Sequence, residues 1–210
     1  STVPGGTFTW TPGGALTNSI TVNPQTTTSY TVNYSSPSGC SAAAVTSTVT
    51  VNPTPSVTVN NVTICNGQTA TLTATPTVPG GTYNWSNGSN TQSINVNPST
   101  TTTYTLNYST AAGCSAPVAS GTITVNPTPT ITATSATICN GQFATLNAST
   151  NTQGGTFTWN PGGIIGSTLT VSPQNTTTYT LSYVSGAGCV SNNATGTVTV
   201  NPVATITVNS

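Results

Sequence analysis

The side chains of this chain able to do covalent chemistry are five thiols, Cys40, Cys65, Cys114, Cys139 and Cys189. What normally activates such groups is missing, because the 210 residues include no Lys, Arg, Asp, Glu or His. A cysteine nucleophile needs a neighbouring base or cation to hold its thiolate, and the composition supplies neither. General acid–base catalysis near neutral pH has no donor or acceptor to work with. Zinc, calcium and magnesium lose their usual ligands. With no cation to meet phosphate, nucleic acid and anionic membrane surfaces are poor partners. The composition therefore points to a protein that is no enzyme and uses no cofactor or metal. Disulfide formation is the chemistry left.

The elements that must place those cysteines follow from the rest of the composition. Thr alone fills 52 positions, with 20 Gly, 15 Pro and no Met. Hydrophobic residues make up 33%, below the roughly 45–50% common in globular chains. Disorder usually joins low hydrophobicity to high net charge, and here the net charge is zero. Thr, Val, Ile and Tyr favour strands instead. No run approaches the roughly 20 apolar residues that cross a membrane. Cysteines in such a chain fit an oxidising, extracellular setting. The expected class is all-β and secreted.

Internal repetition organises the chain. Trp10, Trp85 and Trp159 recur at 75 and 74 residues, Cys40, Cys114 and Cys189 at 74 and 75, and Cys65 and Cys139 at 74. Thr2-Val3-Pro4-Gly5-Gly6-Thr7 returns as Thr77-Val78-Pro79-Gly80-Gly81-Thr82, and Val51-Asn52-Pro53-Thr54-Pro55 as Val125-Asn126-Pro127-Thr128-Pro129. A period of 74–75 residues is too long for a solenoid unit and suits a small β-sandwich. The expected domains are 1–53, a first repeat without its front part, 54–127, 128–202, and 203–210 as the first strand of a further repeat. Ser1 could use its own amine as a base, but its repeat counterpart, Pro76, is a plain loop residue, which argues against an N-terminal nucleophile.

Period-2 alternation in the second repeat predicts strands at 56–59, 69–74, 81–86, 93–97, 102–108 and 121–126. Turn signals separate them at Asn66-Gly67, Pro79-Gly80-Gly81, Asn87-Gly88 and Gly113. Short strands, one Trp per repeat and no helical pattern argue for tandem immunoglobulin-like sandwiches. Trp10, Trp85 and Trp159 are the expected core plugs, joined by Tyr30, Tyr104 and Tyr179, with Tyr104 at the place of a tyrosine corner. The stretches Ile64-Cys65-Asn66-Gly67-Gln68, Tyr83-Asn84-Trp85-Ser86, Thr101-Thr102-Thr103-Tyr104-Thr105-Leu106, Gly113-Cys114 and Val125-Asn126-Pro127 resemble the tandem Ig-like or PKD-like repeats of large secreted Bacteroidota surface proteins. The resemblance covers essentially the whole chain. It implies a bacterial extracellular role as spacer, stalk or adhesin segment, although those relatives usually carry charged residues.

The cysteines leave two pairings open. Bonds within repeats would join Cys65 to Cys114 and Cys139 to Cys189, leaving Cys40 alone. In a sandwich, however, the turn before the second strand and the loop before the last lie at opposite ends, about 20 Å apart, against 5.5–6 Å for bridged Cα atoms. Stacked head to tail, Cys65 would instead meet Cys189 and staple the junction. A diverted first strand would restore the pairing within repeats.

Other features carry weaker readings. Thr-x-Thr alternation resembles ice-binding faces, though Thr is also the natural uncharged residue for a wet strand face. Eight Asn-x-Ser/Thr sequons and many exposed Thr leave glycans possible. A surface without charge promotes association and frees contacts from salt and pH. The sequence therefore predicts a structural repeat segment of an extracellular filament or stalk, self-associating or continuing a longer repeat chain, with stiff Pro-Thr-Pro junctions. The rival reading is an adhesin that presents glycan- or surface-binding loops, with a phage fibre as a further possibility.

Overall fold

Strands alone organise residues 1–206, which the computed structural model describes; none of these residues is helical. The first repeat holds β1 (Thr7–Thr11), β2 (Thr28–Ser35) and β3 (Val45–Val49). The second holds β4 (Val57–Val59), β5 (Val62–Cys65), β6 (Ala70–Pro76), β7 (Thr82–Trp85), β8 (Ser93–Val96), β9 (Thr102–Ser109) and β10 (Ala119–Asn126). The third holds β11 (Ile131–Ala133), β12 (Ala136–Cys139), β13 (Ala144–Thr150), β14 (Thr156–Asn160), β15 (Ile164–Ile165), β16 (Thr168–Val171), β17 (Thr177–Val184) and β18 (Ala194–Asn201). Residues 203–206 carry no strand, and 207–210, the rest of the strand expected there, lie outside the described residues.

The chain divides into two compact units, and the division runs through the second repeat. One unit holds Ser1–Thr58, Thr75–Thr91 and Leu106–Ala119; the other holds Val59–Ala74, Gln92–Thr105 and the chain from Ser120.

In the unit that contains the third repeat, two sheets face each other, ordered β11-β13-β16 and β12-β18-β17-β14-β15. Alternation sends every second side chain inward. Ala144, Leu146 and Leu169 from the first sheet therefore close on Ile138, Trp159, Leu181 and Val198 from the second, all of them buried. The Trp159 indole N–H donates to the Gly166 carbonyl at 3.1 Å, so the large apolar plug leaves no polar atom stranded. The second repeat repeats this strand order, with β4-β6-β8 in one sheet and β5-β10-β9-β7 in the other.

Strand β5 is absent from the sequence expectation. It runs parallel to β10, Cys65 opposite Asn126, whereas β4 belongs to the other sheet. The crossing is made at Asn60-Asn61, whose side chains stand in for backbone partners. Asn60 accepts from the Thr73 N–H at 2.6 Å and donates to the Thr71 carbonyl at 3.3 Å. Asn61 accepts from the Thr122 N–H at 2.8 Å. In the third repeat Thr134 and Ser135 do the same for the Asn147 and Thr197 N–H groups, at 2.8 and 3.0 Å. The crossing chain lies so close to the last strand that a Cβ on Gly121 would sit 2.4 Å from Val59 Cγ1, and one on Gly196 would sit 2.5 Å from the Thr134 carbonyl.

The first repeat is a single antiparallel sheet, ordered β1-β2-β3. Its Ser19–Val22 segment corresponds to β8 but forms no strand; β8 pairs with β6, and among the described residues no strand lies beside Ser19–Val22. The apolar face is correspondingly open. Val49 is 37% exposed, while its counterparts Ile123 and Val198 are 0% exposed.

Candidate functional site

The site to be judged is the set of cysteines, and two kinds of turn carry them. Cys65 and Cys139 end short strands at Asn-Gly-Gln turns. In the first, the Gln68 side chain accepts the Cys65 N–H at 2.8 Å and the Gln68 N–H donates to the Cys65 carbonyl at 3.0 Å. Gln142 repeats both contacts with Cys139, at 3.2 and 3.1 Å. Cys40, Cys114 and Cys189 sit in loops before the last strand of each repeat. There the Ser36, Thr110 and Ser185 N–H groups donate to the cysteine carbonyls, at 2.8, 2.9 and 2.9 Å. The hydroxyls of the same three residues accept the cysteine N–H at 3.1, 3.2 and 3.1 Å.

The two kinds of turn lie at opposite ends of a sandwich. Cys139 is in register with Asn201 at the far end of β18, while Cys189 precedes Ala194 at its start. Eight residues of strand separate them by about 25 Å, so they cannot bridge. The structure joins Cys65 to Cys189, with Cα atoms 5.6 Å apart, and thereby ties the second repeat to the third. Cys139 and Cys40 are free and exposed, and Cys114 is free and half-buried.

Of the expected core aromatics, Trp85, Trp159 and Tyr179 are buried, and Tyr104 and Tyr30 are half-buried. Trp10 departs from expectation and is only half-buried; among the described residues its repeat forms one sheet, β1-β2-β3. Its indole still donates to the Thr17 carbonyl at 2.9 Å. The tyrosine of β9 whose hydroxyl meets backbone is not Tyr104 at its start. It is Tyr108 whose hydroxyl accepts from the Gly81 N–H at 3.0 Å and donates to the Val78 carbonyl. Tyr34 makes the same pair of bonds with Gly6 and Val3.

A groove of about 660 Å³ opens on the first repeat, lined by Val3, Phe8, Val32, Tyr34, Cys40 and Val45 among others. The second repeat fills the corresponding place with its own front segment. Ser56 exchanges hydrogen bonds with Thr77, the counterpart of Thr2, between the buried Pro55 and Val57. The groove is thus a place for packing, with Cys40 and Ser1 on its wall.

The outward Thr ranks bond to one another. Thr31 and Thr46, Thr103 and Thr122, and Thr178 and Thr197 pair across strands at 2.9, 2.9 and 3.0 Å. These pairs occupy the positions where other sheets place opposite charges. Among the described residues no group of His, Cys, Asp or Glu could hold a metal, and no helix is long and apolar enough to cross a membrane.

Paired sheets with crossing first strands, repeated along one chain, define tandem immunoglobulin-like domains. The chain belongs to the family described as Ig-like domain CHU_C associated, which matches residues 54–127 and 128–202. Among solved structures it is similar to the titin domains I67–I69 in an E-to-A mutated variant, at 12% identity, TM-score 0.52, and coverage of 95% of this chain and 89% of that one. The I-band fragment I67–I69 from titin gives 13%, 0.51, 96% and 89%. These likenesses concern the fold. A comparison with curated proteins finds no match.

Proposed function

We propose that the chain is a structural segment of an extracellular filament or surface stalk, built from Ig-like repeats stacked end to end, and that it has no catalytic role. The observation that carries this reading is the Cys65–Cys189 bond, which runs from one repeat to the next. A bond inside a domain stabilises that domain; a bond between consecutive domains holds an array in register. Disulfides persist in oxidising compartments, which supports a place outside the cell, and the family resemblance supports a bacterial surface.

The surface supports the same reading. With no charge to keep copies apart, close lateral and end-to-end packing meets no repulsion. Its partners are further copies or further repeats, with sugars on exposed Asn or Thr as an addition. The Pro-Thr-Pro junctions at Thr54 and Thr128 restrict the backbone between repeats.

Electron microscopy of the concentrated chain, at low and at moderate salt, tests the proposal. Straight, regularly spaced filaments of the same form at both ionic strengths are expected. Freely jointed beads, or monomers at every concentration, overturn it. Binding of isolated repeats on a glycan array would assign the chain to adhesion instead.

A further inference from the structure

We infer that Asn66 and its repeat counterpart Asn140 are self-modifying sites, where the side-chain amide is lost to the next glycine's nitrogen and a carboxylate takes its place, while Asn87 in the same dipeptide is held unreactive. The inference is independent of the filament reading. Asn-Gly occurs three times in the chain, at Asn66-Gly67, Asn87-Gly88 and Asn140-Gly141. All six residues are exposed, and a Cβ built on any of the three glycines would meet nothing within 4 Å. Solvent therefore reaches each dipeptide, and no glycine side chain shields the nitrogen. Sequence and exposure alone would make the three equally reactive.

Hydrogen bonding separates them. The Gln68 N–H closes one turn on the Cys65 carbonyl at 3.0 Å, so Gly67 is the third residue of that turn, at φ +88°. Among the described residues the Gly67 N–H has no partner, and neither has the Asn66 side chain. The turn from Cys139 to Gln142 repeats this, with Gly141 at φ +90° and its N–H unpaired among the described residues. The Asn140 side chain adds one long bond, from Nδ2 to the Gln174 carbonyl at 3.4 Å. Around Asn87 the glycine is instead the fourth residue of its turn. The Gly88 N–H closes that turn on the Trp85 carbonyl at 2.9 Å, and Asn87 Oδ1 accepts the Ser89 N–H at 3.1 Å. Both the attacking nitrogen and the amide to be attacked are thus engaged at Asn87, and both are open at Asn66.

The reaction needs only water and hydroxide. Hydroxide takes the proton of the Gly67 nitrogen, which attacks Asn66 Cγ. The new N–Cγ bond closes a cyclic imide, the Cγ–Nδ2 bond breaks, and the side-chain nitrogen leaves as ammonia with a proton from water, which restores the hydroxide. Water then opens the imide at either carbonyl. Breaking the N–Cγ bond gives aspartate, and breaking the bond to the main-chain carbonyl gives isoaspartate. In sum an amide and water become a carboxylic acid and ammonia, with no change of oxidation state. In a chain without Asp or Glu, the product is the first side-chain carboxylate. Isoaspartate also lengthens the main chain between Cys65 and Gln68, so the two bonds from Gln68 to Cys65 lose their register beside the disulfide.

The full oxidised chain, held in mildly alkaline buffer and sampled over time, is separated by isoelectric focusing and mapped with chymotrypsin, with isoaspartate labelled by protein isoaspartyl methyltransferase. Acidic forms should accumulate, with isoaspartate at positions 66 and 140. Position 87 should convert at least about tenfold more slowly, the factor that two ordinary hydrogen bonds supply. In concentrated guanidinium, which dissolves the turns, all three should convert at similar rates. Asn66→Gln should remove the product at position 66 and leave the other two rates unchanged. The inference is overturned if position 87 converts as fast as position 66 in the folded chain. It is equally overturned if positions 66 and 140 stay intact in the folded chain while the unfolded chain converts there, or if position 87 stays slow in guanidinium.

Discussion

Gly121 and Gly196 stand where the first repeat has Ser47, and each of the two glycines faces the crossing chain of its repeat. That crossing chain leaves no room for a Cβ; among the described residues none passes over Ser47. Gly121→Ala should therefore cost about 1–3 kcal/mol by overpacking against Val59 and the Asn60 carbonyl. Ser47→Ala, at an exposed site, should change stability by less than about 0.5 kcal/mol. Urea melts of the two variants check the contrast, and equal losses would contradict the packing account. Tyr83 gives a second residue-scale test. Its phenol is raised above the ordinary 10.0, first by burial and then by the neighbouring Tyr108, whose ring centroid is 5.1 Å away. A raised acid holds its proton longer in the folded state, so the folded chain binds more protons once pH passes the unfolded value. Stability should consequently be constant up to about pH 10 and fall beyond it, and Tyr83→Phe should soften that fall. An alkaline limb unchanged in the variant would contradict this account.

At the scale of elements, the strand that fails to form is as informative as those that do. Ser19–Val22 has the sequence of a strand, and its counterparts Ser93–Val96 and Thr168–Val171 are strands because β6 and β13 lie beside them. Hydrogen exchange should show Ile94 and Leu169 protected and Ile20 exchanging as open chain; protection at Ile20 would mean that an unseen partner pairs with it. The alternation of Ala70, Leu72 and Ala74, or of Leu106 and Tyr108, was readable because one face of each strand is wet and the other dry. Strand β5 escaped, since four residues in parallel pairing carry no alternation longer than chance. Its only trace was the Asn60-Asn61 pair that makes the crossing. The backbone-bonded tyrosine was not readable, because Tyr104 and Tyr108 lie on the same face of one strand and sequence alone does not say which hydroxyl meets backbone. The half-burial of Trp10 goes with the single sheet that its repeat shows among the described residues, which no local pattern at Trp10 records.

For the whole molecule, the absence of charge predicts indifference to solvent. There is no Asp, Glu, His, Lys or Arg side chain to change charge between pH 4 and 8, and there are no ion pairs between side chains to screen. The melting temperature should stay within about 5 °C across that window and between low and moderate salt. A larger shift in calorimetry would require an interaction the fold does not contain. Reduction is the change the molecule should feel. Opening Cys65–Cys189, which closes a separation of 124 residues, should lower stability by about 2–4 kcal/mol, measured by denaturant melts with and without reductant. The same bond decides what happens when the chain is pulled from its ends. Force entering at one terminus passes from residue 65 to residue 189 through sulfur, so the sandwich material between them never becomes part of the load path. Fully drawn out, that segment would add about 3.4 Å per residue, on the order of 400 Å over the 124 residues bypassed. An oxidised chain on a force probe is thus shorter at full extension by that length, and it yields the hidden contour only when a reductant cuts the bond.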